Sequence, residues 1–270
     1  MPGWFSGDVI ANKIKIHYYR TGGDKPPLVL SHGMTDNGLA WTRAARVLEK
    51  DYDVIMADAR GHGLSDAPET GYGVEDRAAD LAGLVQALGL DRPCLMGHSM
   101  GADTTAFMVG SYPGLAGCAV LEDPPWYDGI LSAELRQAMA AELRARLVER
   151  KTKTLDEVLA DGRERHPAWA DVEFGAWVEA KSQVSLNALQ VLTGLRPDWR
   201  ETAARITCPT LLVTGDPELG ALVTPELAAE LSAVCPQLKV TRIAGAGHNI
   251  RREGFEPYVD AVAAFLKETA

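Results

Sequence analysis

Short runs of apolar residues alternate with amphipathic stretches along most of this chain, and that alternation sets the fold. Leu28–Leu30, Val54–Ala57, Cys94–Met96, Cys118–Leu121, Leu211–Thr214 and Val240–Ile243 are continuous apolar runs of strand length. Between them, helical spacing marks Leu39–Glu49, Glu75–Leu88, Ala102–Gly110, Glu226–Val234 and Phe255–Lys267. Strands that are apolar throughout are buried on both faces, so the pattern predicts a mostly parallel sheet with helices on both sides. Near the N-terminus the period changes to two in Ile14-Lys15-Ile16-His17-Tyr18. This predicts an antiparallel strand, paired through a turn at Ala11-Asn12-Lys13 with the strand before it. Thr224-Pro225-Glu226 supplies a helix start, with Thr as N-cap and Pro at the first helical position.

The alternation stops between Pro124 and about residue 200. Leu131, Leu135, Met139, Leu143 and Leu147 recur every four residues and form one helical stripe. Thr154 and Glu157 fit a capping box ahead of Leu155, Val158 and Leu159. A third helical stretch is expected from Asp171 to Leu192. Residues 126–200 therefore read as a helical cap inserted into a core of residues 1–125 and 201–270. Trp126, Trp169, Trp177 and Trp199 all lie in this insertion, either as structural anchors or as walls of a pocket.

Charge narrows the partners. The 270 residues carry 27 Lys and Arg against 37 Asp and Glu, a formal −10 that argues against nucleic acid and against an anionic membrane surface. The N-terminal octapeptide Met1 to Asp8 has no basic region leading into an apolar one, so it does not read as a signal peptide. No apolar run approaches the roughly 20 residues that span a bilayer. Cys94, Cys118, Cys208 and Cys235 are scattered without C-x-x-C spacing. They are expected to be free thiols in a reducing cytoplasm rather than disulfides or zinc ligands.

The chemistry is concentrated in Gly97-His98-Ser99-Met100-Gly101, a G-x-S-x-G segment between an apolar run and a helical one. A sharp strand-to-helix turn lifts a serine hydroxyl clear of a sheet, and flanking glycines leave room for the backbone. The helix that follows points free N–H groups at the place where an oxyanion would form. Ser99 is the expected nucleophile. It needs a base, and among six histidines His248 stands out, in the glycine-rich Ala244-Gly245-Ala246-Gly247-His248-Asn249 after the last strand. His32, His62 and His98 sit in glycine-flanked turns that suit backbone-bonding or packing histidines. No metal-ligand spacing and no phosphate-cradling glycine loop is present, so no metal, nucleotide or other cofactor is expected.

These segments, in this order, resemble the α/β-hydrolase superfamily from about residue 8 to the C-terminus. Ser31-His32-Gly33-Met34 resembles its oxyanion loop, and Asp58-Ala59-Arg60-Gly61-His62-Gly63-Leu64-Ser65-Asp66 the loop after its fourth strand. Gly97–Gly101 matches its nucleophile elbow and Gly245–His248 its histidine loop. The resemblance implies an eight-stranded, mostly parallel sheet with a helical cap. It also implies that the N–H groups of Met34 and Met100 form an oxyanion hole. For the triad acid it points to Glu122, at the end of the sixth strand, as in haloalkane dehalogenases and zearalenone lactonases. Glu218, after the seventh strand, is the alternative, and Asp216 and Asp123 remain open. Serine at the elbow argues against dehalogenase and epoxide hydrolase chemistry, which uses Asp there. The implied activity is cofactor-free cleavage of a carboxylic ester or lactone of a small to medium, largely apolar substrate. A C–C hydrolase or lyase using the same Ser–His pair is an alternative. A slow or non-catalytic ligand receptor on this fold is another.

Overall fold

The computed structural model describes residues 3–127, 131–194 and 196–269. At the N-terminus β1 (Phe5–Ala11) and β2 (Ile14–Arg20) pair antiparallel in the register Ala11↔Ile14, which leaves Asn12 and Lys13 as a two-residue turn. Both turn residues have positive φ, 47° and 68°, the mirror-image geometry that matches the twist of a hairpin. The remaining strands are β3 (Pro27–Ser31), β4 (Asp53–Ala57), β5 (Cys94–His98), β6 (Cys118–Glu122), β7 (Thr210–Thr214) and β8 (Leu238–Arg242). They lie in the order β1-β2-β4-β3-β5-β6-β7-β8, parallel from β4 onwards.

Helices cover both faces, as strands without an exposed side require. The core helices are α1 (Thr42–Leu48), α2 (Val74–Ala87) and α3 (Met100–Ser111). Between β6 and β7 come α4 (Ala133–Arg150), α5 (Leu155–Arg165), α6 (Phe174–Gln183), α7 (Gln190–Thr193) and α8 (Trp199–Ala204). After β7 follow α9 (Pro225–Val234), α10 (Ile250–Glu253) and α11 (Phe255–Thr269). One core layer sets the sheet against α2, α3 and α9 through Leu81, Leu84, Ala106 and Leu231. The other sets it against α1 and α11 through Leu48, Val262 and Leu266.

The insertion is helical, but two of its expected details differ. The stripe on α4 is buried only at its far end: Leu147 is fully covered and Leu135 is 48% exposed. The third helical stretch is broken at Val184–Ser185, because the Ser185 side chain accepts the Asn187 N–H and its own N–H bonds Gly61 O. The Thr154–Glu157 capping box is present. Trp169 and Trp177 pack with Val158 and Phe174 in a small core of the insertion, whereas Trp126 stacks on Trp199 at 5.8 Å.

The cysteines also depart from expectation. Cys94 and Cys118 face each other across β5 and β6, with Cα atoms 4.7 Å apart, and form a disulfide. Cys208 and Cys235 are free. Thiol usage therefore gives no argument for a reducing compartment. No described helix is long and apolar enough to cross a membrane.

Candidate active site

Ser99 is the first residue beyond β5 and stands at φ 51°, a left-handed strain that turns its side chain out of the sheet. The tightness of this turn explains its glycines. A Cβ on Gly97 would lie 2.2 Å from Gly101 O, and one on Gly101 would lie 2.2 Å from Ser31 O.

Register carries the geometry across the sheet. β5 and β6 pair as Cys94↔Cys118 through His98↔Glu122, so the residue level with Ser99 is Asp123. It too has a positive φ, 44°. The Ser99 hydroxyl lies 3.0 Å from His248 Nε2, and His248 Nδ1 lies 2.6 Å from Asp123 Oδ2. A carboxylate at Nδ1 fixes the tautomer, with the proton on Nδ1 and Nε2 free to accept from the serine. Asp123 is fully buried and also accepts the N–H groups of Leu222 and Val223 at 2.9–3.0 Å. Those bonds satisfy a carboxylate that burial alone would penalise.

The preferred acid, Glu122, is thus displaced by its neighbour. Glu122 is still a strand residue, and its carboxylate turns to α10, where it accepts the Arg251 N–H at 2.9 Å and meets the Arg251 guanidinium at 3.3 Å. Burial pushes its carboxyl up and Arg251 holds it back. Glu218, the alternative, sits exposed in a 3-10 turn after β7 and does not reach the histidine. Asp216 bonds Arg242 and the Gly245 N–H, tying that turn to the histidine loop. The signal for Asp123 was the offset of 24 residues between the two cysteine-bearing strands, which carries Ser99 onto Asp123.

Three other histidines are tied into the backbone around the site. His98 Nε2 donates to His248 O at 3.0 Å, and complete burial, reinforced by Arg251, holds the ring well below its ordinary range and so neutral. His32 donates from Nδ1 to Gly33 O, and its Nε2 accepts the Ala59 N–H. His62 accepts the Thr35 N–H, and burial next to His32 brings it down to about 3. These rings pin the loop that carries Met34. Met34 lines the cavity at Ser99, and its N–H has no protein acceptor among the described residues. Met100 opens α3, a position with no intrahelical acceptor.

Behind this loop lies a buried ionic cluster that patterning did not reveal. Asp36, two residues past Met34, meets Lys181 of α6 at 3.1 Å, Arg252 at 3.1 Å and Arg251 at 3.6 Å. Arg251 continues to Glu122 and Arg252 to Glu173. Three buried cations face three buried anions, and the half-buried Arg43 also reaches Glu173 at 3.8 Å, so the cluster links the insertion, the loop carrying Met34 and the segment after His248. Burial pushes the Asp36 carboxyl up, yet Arg252, Lys181 and Arg251 together hold it well below its ordinary 3.8. Burial brings the Lys181 ammonium down to about 8 despite Asp36.

A balanced buried cluster adds little over apolar packing, but removing one member strands the rest. Asp36→Asn is therefore expected to cost about 3–5 kcal/mol in denaturant unfolding at neutral pH. The folded carboxyl is depressed, so its contribution is complete above pH 3.8 and is lost as pH falls below it. The deficit of the variant should narrow in that acid window. Equal unfolding midpoints at neutral pH would show that the cluster carries no such load.

This chain is similar to known proteins over most of its length. A family model described as alpha/beta hydrolase fold matches residues 26–161. A 2-(acetamidomethylene)succinate hydrolase of Mesorhizobium japonicum is 30% identical, over 92% of this chain and 90% of the relative. An N-formylmaleamate deformylase of Pseudomonas putida is also 30% identical, over 96% of each. The crystal structure of an E-2-(acetamidomethylene)succinate hydrolase superposes with a TM-score of 0.83 at 28% identity, over 98% of this chain and 99% of that one.

Proposed function

Because the chain belongs to the α/β-hydrolase family, we propose that it hydrolyses the acyl bond of a small carboxylic ester through a covalent acyl-enzyme. The observation that carries this reading is the continuous chain Ser99 Oγ, His248 Nε2, His248 Nδ1, Asp123 Oδ2, with steps of 3.0 and 2.6 Å. His248 removes the Ser99 proton as the oxygen attacks the carbonyl carbon, and Asp123 stabilises the imidazolium that results. The N–H groups of Met34 and Met100 hold the tetrahedral oxyanion. His248 then returns the proton to the leaving alkoxide. In the second half, water gives a proton to His248, attacks the acyl carbon and releases the acid, and Ser99 recovers its proton.

A second reading, an N-acyl bond in place of the ester, is favoured by the relatives' names, which describe an acetamido and an N-formyl substrate. Here His248 must protonate a nitrogen leaving group, a harder departure that its position beside Ser99 equally serves.

Stopped-flow hydrolysis of p-nitrophenyl butyrate, compared with the matching p-nitroanilide, tests both. One equivalent of p-nitrophenol in a burst, followed by steady turnover, is expected for the ester. Faster steady turnover of the anilide would move the assignment to the amide. A burst without turnover would make the protein a single-use receptor, and release of neither p-nitrophenol nor p-nitroaniline above the rate of the Ser99→Ala protein would count against the acyl-hydrolase reading.

A further inference from the structure

The cavity at Ser99 has a volume of about 270 Å³ and is walled by Met34, Val191, Leu192, Leu222 and His248, with Arg196 also on its surface. Among the described residues Arg196 is the one permanently charged side chain on that wall. A second cavity of about 240 Å³ adjoins it, sharing Pro125, Tyr127, Leu192 and Arg196 and floored by the Trp126–Trp199 stack. The acids of this second chamber are engaged. Asp103 bonds Arg77 and the Trp126 indole, and Asp198 caps α8. Arg200 is paired with Glu230.

Arg196 differs from the buried arginines of this chain. Arg60, Arg77, Arg251 and Arg252 each have a carboxylate within hydrogen-bonding or ion-pair distance. Arg196 donates one N–H to Pro125 O at 3.1 Å and meets no carboxylate among the described residues. Arg136, on α4, lines the second chamber and also meets no carboxylate among the described residues. It donates to Gly194 O at 2.6 Å, two residues before Arg196, and its buried Nε has no partner among the described residues. Acids outnumber bases by ten in this chain, so the missing counter-ions do not reflect a shortage of carboxylates. The overall negative charge does not repel an anion here either, because charges beyond about 8 Å are screened at physiological ionic strength.

We propose that Arg196 is the binding site for a carboxylate of the substrate, which makes the substrate an acyl compound of a short dicarboxylic acid. The scissile carbonyl lies at Ser99 and the free carboxylate reaches the guanidinium, whose planar fork suits two parallel N–H···O bonds. Arg136 holds the segment that carries Arg196 and adds a second positive charge behind it. The apolar walls then contact the methylene chain between the two ends. This assignment rests on the reading of Ser99 as nucleophile and replaces an apolar substrate with an anionic one.

The test compares p-nitrophenyl hydrogen glutarate with p-nitrophenyl pentanoate, which differ in a terminal carboxylate. The glutarate ester is expected to have the higher kcat/KM by roughly 10- to 100-fold, mainly through KM, the scale of hydrogen bonds to a charged group. In Arg196→Gln that ratio should fall by about tenfold or more. Calorimetry of glutarate binding to the Ser99→Ala protein gives a readout free of turnover, and binding should be lost in the Ser99→Ala, Arg196→Gln double variant. A ratio near one in the native enzyme, or a ratio unchanged by Arg196→Gln, overturns the proposal. If neither ester is turned over while glutarate binds in an Arg196-dependent way, the ester reading fails and the carboxylate site stands.

Discussion

Ser99→Ala is expected to lower kcat on an ester by about 10⁶-fold, the loss that follows removal of a triad serine. The reason is positional. The strained turn at φ 51° serves to present one oxygen 3.0 Å from His248 Nε2, and alanine keeps the turn while deleting that oxygen. Thermal unfolding should be near that of the native protein, because Ser99 makes its side-chain bond at the rim of the cavity and not in the core. Kinetics and unfolding have to be measured on the same preparation. Near-native turnover would mean that another nucleophile acts, while a matching collapse of stability would mean that the residue is structural.

Asp123→Asn is expected to lower kcat by about 10⁴-fold with the fold retained. An amide no longer fixes the His248 tautomer and offers no negative charge to the imidazolium in the transition state. Glu122→Gln should behave differently, although it is the adjacent residue. Its carboxylate compensates the buried Arg251, so its loss is expected to cost about 3–5 kcal/mol of stability, with kcat of the folded enzyme within tenfold of native. Both variants should be assayed at saturating substrate, where changes in KM do not enter. The reverse outcome, a crippled but stable Glu122→Gln and an active Asp123→Asn, would return the acid to the end of β6.

What the sequence disclosed and what it withheld follow from how local each feature is. Apolar runs, the Asn12–Lys13 turn and the glycine-framed elbow are written in consecutive residues, so strands, hairpin and the strained turn at Ser99 were legible. His248 was legible because glycines flank it after the last strand. The carboxylate that meets His248 was not, because the choice between Glu122 and Asp123 depends on a one-residue difference in where β6 ends, and one step reverses the face to which a side chain points. The cluster around Asp36 joins residues up to 216 positions apart, and no window along the chain displays it. The Cys94–Cys118 disulfide was hidden in the same way, since only strand register brings the two together. Trp177 was open to either role, structural anchor or pocket wall, and is buried in the insertion's own core, whereas Arg196, which carried no motif, lines the cavity.

The central claim is that Ser99 alone is activated by His248, and labelling tests it most directly. A fluorophosphonate should form a covalent bond to the Ser99 oxygen with loss of fluoride, and peptide mass spectrometry should find one phosphonyl group per chain, on the peptide containing Gly97–Gly101. His248→Ala should slow that labelling by orders of magnitude, because the oxygen then lacks its base. Stoichiometric label on Ser99 that depends on His248 is the result expected here. Label on another residue, or no label on a folded protein, would contradict it.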